Sequence, residues 1–198
     1  MNCKTHDTKQ HILDVGHQLV ITKGFTGMGL SELLKSADVP KGSFYHYFAS
    51  KEQFGVVLVE QYFARHLAAL RQIFEQPNIG DYEKLLQYWQ KWHEHNNAQC
   101  QNGRCLVVKL AGEVSDLSES MRQAFLTGTE QIIRALTSML EQGKANGTYP
   151  IDDARYCAEV LYNLWLGASL LVKIRLNDSS LQHALQATAQ LLGRQLPH

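Results

Sequence analysis

The sequence predicts an all-α fold in which a small three-helix unit precedes a larger part of six helices. Strand signals are nearly absent from the 198 residues, because no alternating runs of Val, Ile and Thr are bounded by tight turns. Apolar residues recur at helical spacing instead, and each predicted helix has a plausible start signal. The apolar fraction of 44% and the charged fraction of 19% are typical of a folded globular chain rather than a disordered one.

The first three predicted helices are contained in the first fifty residues. The first opens at Asp7 and stops at Gly24, since a glycine commonly ends a helix. The second starts at Gly29, and the third runs from about Lys41 to Tyr47 after a break at residues 38–40. Two short helices joined by a tight turn predict a helix-turn-helix.

Six further helices are predicted from capping residues, glycines and a turn at residues 77–80. They begin near Ser50, Asp81, Cys105, Asp116, Asp152 and Ser179, and Asp116 with Glu119 is predicted to form a capping box. The segment LYNLWLGASLLVKIRL, residues 161–176, is apolar nearly all round. A helix of that kind is either central or shared with a partner chain. No apolar run reaches the length of about 18 residues that a membrane span needs.

Residues 39–52 read VPKGSFYHYFASKE and combine aromatic and basic residues with a single acid. Phe44 and Phe48 are four residues apart, so they share a helix face and are predicted to pack in the core. Lys41 and Tyr45 then point outward, where an ammonium or a hydroxyl group reaches phosphate oxygens. Residues 1–51 hold six Lys, no Arg and four acids, a formal charge of +2 that slightly favours a polyanionic partner.

The run GFTGMGLSELLKSADVPKGSFYHYFASKEQF, residues 24–54, resembles the DNA-binding signature of the TetR family of bacterial repressors. Members of that family carry G-F or G-Y, then I-A-x-x-A-G-V, then S-K-G-x-L-Y-H-H-F-x-S-K-E. The resemblance implies a three-helix helix-turn-helix DNA-binding domain over residues 1–50. It implies a six-helix ligand-sensing and dimerisation domain over residues 51–198, with a homodimer formed through the last two long helices.

The resemblance also implies the DNA-contacting residues and the form of the operator. Gly29 and Pro40 replace the capping hydroxyl residues of the family, which puts side-chain capping of both short helices in question. A two-fold symmetric dimer would bind a palindrome in double-stranded DNA. Three residues are expected at the major groove and three at phosphates: Lys41, Gly42 and Ser43, and then Tyr45, His46 and Lys51.

Cys105 is predicted to stand at the start of a short helix, beside Arg104 and four residues before Lys109. A helix N-terminus with nearby cations lowers the pKa of a thiol and raises its reactivity. The position of Cys105 alone leaves a second role open, in which it is an unreactive, buried apolar side chain.

A further resemblance favours the sensing role of Cys105. The stretches GFTGMGLSELLK, VPKGSFYHYF and LWLGA resemble the NemR-type, electrophile-sensing branch of the TetR family. The modified cysteine of that branch lies in an S-G-C-L-x-V-K-L context, and residues 103–110 here read GRCLVVKL. The resemblance implies release of DNA when electrophiles or oxidants modify Cys105.

Lys173 lies within the apolar run and has two possible roles. It either extends its ammonium to solvent or lies beside Cys105, where it would stabilise the thiolate or capture an oxidised form. His93, His95, Cys100 and Cys105 lack the close pairing of zinc ligands, so neither a metal nor a cofactor is expected. A disulfide between Cys100 and Cys105 on oxidation stays open.

The sequence is compatible with three functions. The first is a cytoplasmic repressor that thiol modification releases from DNA, and the second is the same repressor released by a small apolar inducer bound non-covalently. The third, an all-α enzyme, is remote because the sequence contains no G-x-S-x-G, P-loop, dinucleotide or H-E-x-x-H motif. The four cysteines are too few for a secreted disulfide scaffold, and no membrane partner is expected.

Overall fold

The computed structural model describes residues 3–99 and 105–194, with side chains from residue 8 onward. Within these residues the chain forms nine α-helices and no strand, which confirms the all-α fold. The helices are α1 (Cys3–Gly27), α2 (Leu30–Ser36), α3 (Lys41–Tyr47), α4 (Lys51–Phe74), α5 (Asp81–Asn96), α6 (Leu106–Val114), α7 (Glu119–Ala145), α8 (Ala154–Arg175) and α9 (Ser179–Leu191).

Most predicted helix ends agree with the structure, and three starts were wrong. Asp153 rather than Asp152 caps α8, since its side chain accepts a hydrogen bond from the Tyr156 N–H at 2.9 Å. The first helix begins at Cys3 rather than at Asp7, although its backbone leaves helical geometry at Gly24, with φ 81°, as predicted. The predicted cap of α7, Asp116, is also wrong. The hydroxyl of Ser118 accepts a hydrogen bond from the Met121 N–H at 3.1 Å and caps that helix instead.

The described chain divides into two compact units. The first contains Met1–Tyr62 and Lys109–Gly128, and the second contains Phe63–Val108 and Thr129–His198. Each unit therefore combines two segments that are distant in sequence. The functional boundary at residue 50 stays a prediction.

An aromatic cluster forms the core of the first unit beneath α3. Phe44, Phe48 and Phe54 are fully buried, and their ring centroids lie 5.1–5.8 Å apart. Gly16 of α1 lets the Phe54 ring approach closely, because a Cβ at that position would lie 2.3 Å from the ring. The predicted core role of Phe44 and Phe48 is confirmed, and it fixes which face of α3 points outward.

The core of the second unit is built on α5, α8 and α9. The rings of Trp89 and Trp165 stack with centroids 4.7 Å apart and planes 10° from parallel. The indole N–H of Trp165 donates to the Thr188 hydroxyl at 2.9 Å, and that of Trp92 donates to the Ser169 hydroxyl at 2.8 Å. A buried N–H group without an acceptor costs about 1–3 kcal/mol, and each of these hydrogen bonds avoids that cost.

One face of α8 is exposed except at Val160, which is half-buried. The face follows helical spacing and comprises Tyr156, Val160, Asn163, Gly167, Leu170 and Ile174. Tyr156 and Ile174 are 65% and 68% exposed, so the face is apolar as well as open. By length and composition alone α8 meets the requirements of a membrane span, and 44% of its most apolar window is buried inside the protein. We call this face the α8 stripe.

Candidate nucleic-acid interface and cysteine site

A left-handed residue joins α2 to α3. Asp38 has φ 51°, the conformation that the predicted sharp turn requires and that Asp tolerates better than most residues. Pro40 is the N-cap of α3, one position before the expected first helical residue. Neither α2 nor α3 has a side-chain cap, as the replacement of the hydroxyl residues suggested.

The outward face of α3 gathers five of the six residues predicted to contact DNA. Lys41, Gly42, Tyr45 and His46 are exposed, and Ser43 is half-buried. The Lys41 ammonium lies 5.7 Å from the centroid of the Tyr45 ring, so the two side chains form a single patch. Outside its own helix, no described atom lies within 4 Å of a Cβ placed on Gly42, which leaves this side of the helix open to a ligand surface. The predicted outward position is therefore confirmed for Lys41, Tyr45 and His46, and the DNA role of all five residues stays a prediction.

Lys51, the sixth of these residues, has a partner within the protein. It lies in the first turn of α4, half-buried, and its ammonium donates to the Phe25 carbonyl oxygen at 2.8 Å. The same ammonium stands 4.7 Å from the centroid of the Phe25 ring. Burial lowers the pKa of Lys51, and the charge of Glu113 partly opposes that shift. Lys51 thus ties α4 to the end of α1, and its contact with phosphate stays a prediction.

Cys105 stands immediately before α6 and is buried, with 4% of its surface exposed. Its backbone N–H donates to Oδ1 of Asn96, the last residue of α5, at 3.0 Å. The amide nitrogen of Asn96 in turn donates to the Trp92 carbonyl at 2.9 Å. One asparagine therefore holds the start of α6 against the end of α5. No local pattern indicates this role, because Asn96 is one of several polar residues in HEHNNAQ.

Two contacts between α5 and α8, and a third just beyond their ends, show that the two helices run in the same direction. Trp89 stacks on Trp165, Trp92 bonds to Ser169, and the Ala98 N–H donates to the Asp178 carboxylate at 2.7 Å. The offsets are 76, 77 and 80 residues. The first two contacts align Trp165 and Ser169 of α8 with the second half of α5.

Lys173 follows Ser169 by one helical turn, as Asn96 follows Trp92. The register therefore puts Lys173 at the level of Asn96, whose amide holds Cys105. Lys173 is half-buried near the end of α8. Lys109 lies on α6 in the first unit and acts electrostatically on Glu113. The sensor roles of Lys109 and Lys173 stay predictions.

A buried polar cluster close to Cys105 was not predicted. A ring nitrogen of His66 is hydrogen-bonded to the Tyr88 hydroxyl at 3.0 Å. Burial, with a smaller effect of His95, lowers the pKa of His66 to about 4, so its ring is neutral at pH 7. Burial raises the pKa values of Tyr88 and Tyr162, and Cys105 contributes electrostatically to both shifts. The cysteine therefore lies among neutral hydrogen-bonding groups.

The second described free cysteine has a different environment. Cys157 is buried on α8, and burial, followed by the charge of Asp153, raises the pKa of its thiol to about 11. A thiol with that pKa is almost entirely protonated at neutral pH. Cys100, Arg104 and the side chain of Cys3 lie outside the described residues. In the part of the chain that is described, no group of three or more His, Cys, Asp and Glu could hold a metal ion.

The α3 helix has an exposed polar face above a buried aromatic cluster, and a tight turn joins it to the short helix before it. These features define a helix-turn-helix DNA-binding regulator. Two family descriptions match the chain. "Bacterial regulatory proteins, tetR family" covers residues 12–54, and "Tetracyclin repressor-like, C-terminal domain" covers residues 82–188. The chain belongs to the TetR family and is a transcriptional repressor rather than an enzyme.

Similar proteins agree with this assignment along almost the whole chain. The sequence is 46% identical to the HTH-type transcriptional repressor NemR of Escherichia coli (strain K12), over 95% of each chain. It is 28% identical to the HTH-type transcriptional repressor DhaR of Mycobacterium sp. (strain GP1), over 93% of this chain and 91% of DhaR. The crystal structure of E. coli NemR in its reduced form matches with a TM-score of 0.90 and 41% identity. That match covers 97% of this chain and all of the other.

Proposed function

We propose that this repressor binds a palindromic operator in double-stranded DNA and that modification of Cys105 by a small electrophile or oxidant releases it. TetR regulators bind operators and act as dimers. The identity of the sensor residue, the inducer class and the contacting side chains are the new assignments. The protein would act in the bacterial cytoplasm, where its operator lies, and no membrane partner takes part.

The α3 patch supports the DNA contact. Lys41, Tyr45 and His46 are exposed on one face while Phe44 anchors the opposite face in the core. An ammonium and a phenol hydroxyl are suitable donors to phosphate oxygens, and the open backbone at Gly42 allows close approach to base edges. The α8 stripe supports the dimer, because an exposed apolar helix face of this length is typical of an interface between subunits.

The observation that carries the sensing proposal is the placement of Cys105 at the start of a helix, in a repressor 46% identical to NemR. The register of α5 and α8 brings the level of Lys173 to that of Asn96, which bonds to Cys105. A cation in that neighbourhood favours a thiolate, the species that attacks an electrophilic carbon.

Release follows from a shift between two populations of the dimer. Cys105 is buried, so an adduct on its sulfur adds volume to a packed site and forces the start of α6 to repack. Moving the balance between a DNA-binding and a released state from 1:99 to 99:1 requires about 5.5 kcal/mol of preference. Overpacking of a core by added heavy atoms costs about 1–3 kcal/mol, so the adduct supplies part of this in each subunit.

The test is a gel-shift titration with duplex DNA from the region upstream of the protein's own gene. We expect binding when the protein is reduced, and release after iodoacetamide treatment that mass spectrometry locates at Cys105. Cys105→Ser should keep DNA binding and lose release, whereas Cys157→Ser, the matched control, should behave as the parent. Lys173→Met should label more slowly. Release that persists in Cys105→Ser would contradict the sensing proposal.

A second candidate is release by a small apolar ligand bound non-covalently in the second unit. The indole N–H of Trp89 favours it, since this donor is fully buried and has no hydrogen-bond acceptor within the described part of the chain. A ligand with a carbonyl oxygen would satisfy it. This candidate predicts that a ligand of that kind releases both the parent and Cys105→Ser.

A further inference from the structure

The end of α1 carries a built-in anion site that the protein fills itself. The backbone leaves helical geometry at Gly24, and the following two N–H groups point to the carboxylate of Glu113 on α6. The Phe25 N–H donates to Oε2 at 3.2 Å, and the Thr26 N–H donates to Oε1 at 2.6 Å. The Thr26 hydroxyl also donates to Oε1. Three donors thus converge on one carboxylate about 88 residues later in the sequence.

Gly24 and Glu113 form a matched pair. Gly24 has φ 81°, a backbone angle that residues other than glycine rarely adopt. A Cβ on Gly24 would lie 2.7 Å from Oε2 of Glu113 and would push the carboxylate out. Burial disfavours the charged form of Glu113, but the hydrogen bonds from Thr26 and Phe25, with a smaller effect of Lys109, outweigh it and lower its pKa. The carboxylate is therefore ionised in this site at neutral pH.

The same segment also contacts the first turns of α4. The Ser118 hydroxyl donates to the Glu52 carboxylate at 2.5 Å. The Met121 side chain reaches within 2.8 Å of a Cβ placed on Gly55. Residues 109–128 therefore hold both the end of the helix before α2–α3 and the start of the helix after it.

Cys105 and Glu113 belong to the two ends of one short helix. Cys105 immediately precedes α6, and Glu113 is the penultimate residue of α6. A nine-residue helix moves as a rigid element, because its backbone hydrogen bonds resist bending. A displacement at its start is therefore carried to the residue that holds Phe25 and Thr26.

We propose that Glu113 is the positioning residue that couples the state of Cys105 to the α2–α3 hairpin, through its three hydrogen bonds to Phe25 and Thr26. This inference rests on the proposed function. It assigns to Glu113 no contact with DNA or with the inducer. Its removal should leave DNA binding intact and separate it from the sensor.

The experiment compares Glu113→Ala with Glu119→Gln by fluorescence anisotropy on the same upstream duplex, before and after iodoacetamide. Glu119 is a matched control because its carboxylate lies in the same unit, on α7, and among the described residues bonds to Arg122 and Gln123 of its own helix. Coupled sites typically change each other's affinity about 5- to 150-fold, and we expect the parent and Glu119→Gln to lose affinity by an amount in that range. Glu113→Ala should keep its reduced-state Kd within about twofold and lose most of this change.

Labelling of Cys105, followed by mass spectrometry, is the second readout. In Glu113→Ala it should proceed as in the parent, since the cysteine site is untouched. Thr26→Val, which removes one of the three hydrogen bonds, should weaken the response partially if the bonds act as inferred. Thr26→Val therefore also tests the coupling role of Glu113 if Glu113→Ala does not fold.

The outcomes separate the two proposals. A parent that is labelled but keeps its DNA contradicts the proposed function and this inference with it. A responsive parent with an equally responsive, labelled Glu113→Ala overturns the inference alone. A folded Glu113→Ala that no longer binds DNA when reduced also overturns it, because Glu113 would then shape the DNA-binding surface itself.

Discussion

The two units place their candidate functional groups in opposite environments. In the first unit Lys41, Tyr45 and His46 lie on an open helix face above an aromatic core. In the second unit Cys105 is buried within electrostatic reach of Tyr88 and Tyr162. An exposed site depends on which side chains are present, whereas a buried site depends on whether its groups keep their partners. Substitutions should therefore change binding in the first unit and stability or reactivity in the second.

The largest effect is expected on the open face. The double variant Lys41→Ala, Tyr45→Ala should weaken operator binding by about 30-fold or more, since each lost contact typically costs about 1–3 kcal/mol. Anisotropy on the upstream duplex measures it, and circular dichroism should show an unchanged helix content. Lys91→Ala, which removes a lysine exposed on α5, is the control and should bind as the parent. Parent-like affinity of the double variant would remove α3 from the interface.

The next effect is a loss of stability in mild acid that comes from the second unit. His66 has a folded pKa of about 4 against an ordinary 6.5, so the unfolded chain binds more protons between these values. The free energy of unfolding should therefore fall as pH drops from 6.5, by about 2 kcal/mol at pH 5. Urea unfolding at both pH values measures this change.

Two histidine variants test the origin of that acid sensitivity. His66→Gln should remove most of the dependence on pH, and His183→Gln, at an exposed position of α9, should keep it. The range from pH 6.5 to 5 lies above the titration of Glu113, whose pKa is lowered from 4.5. Equal pH dependence in His66→Gln and the parent would show that buried His66 is not the source.

The smallest effect concerns the backbone of the first unit. Gly24→Ala should destabilise the protein by about 1–2 kcal/mol, because alanine is strained at a positive φ and its Cβ displaces the Glu113 carboxylate. Gly112→Ala is a control of opposite sign, since Gly112 lies within α6 with open space around it and alanine favours a helix. Thermal unfolding of the two variants measures the difference, and a neutral Gly24→Ala would contradict the strain argument.

The sequence predicted the first unit better than the second for a physical reason. The short helices and the outward face of α3 follow from local spacing, so the exposure of Lys41 and Tyr45 could be inferred from the printed residues. Glu113, Asn96 and His66 were missed because their partners are 87, 9 and 22 residues away. Local pattern also misassigned the cap of α7 to Asp116, since Asp116 and Ser118 both precede the helix and only their geometry separates them.

An α8 stripe that serves as the dimer interface would make operator occupancy depend on the number of copies of the protein. If a second chain covers Tyr156, Leu170 and Ile174, the dimer forms by mass action, and the concentration of dimer varies with the square of the free-chain concentration. A cell that makes few copies would then leave the operator partly vacant even when no inducer is present. A repressor that limits its own synthesis would hold its copy number near a constant value. The apolar area that α8 buries in the dimer would determine that value, because it sets the affinity between the two chains.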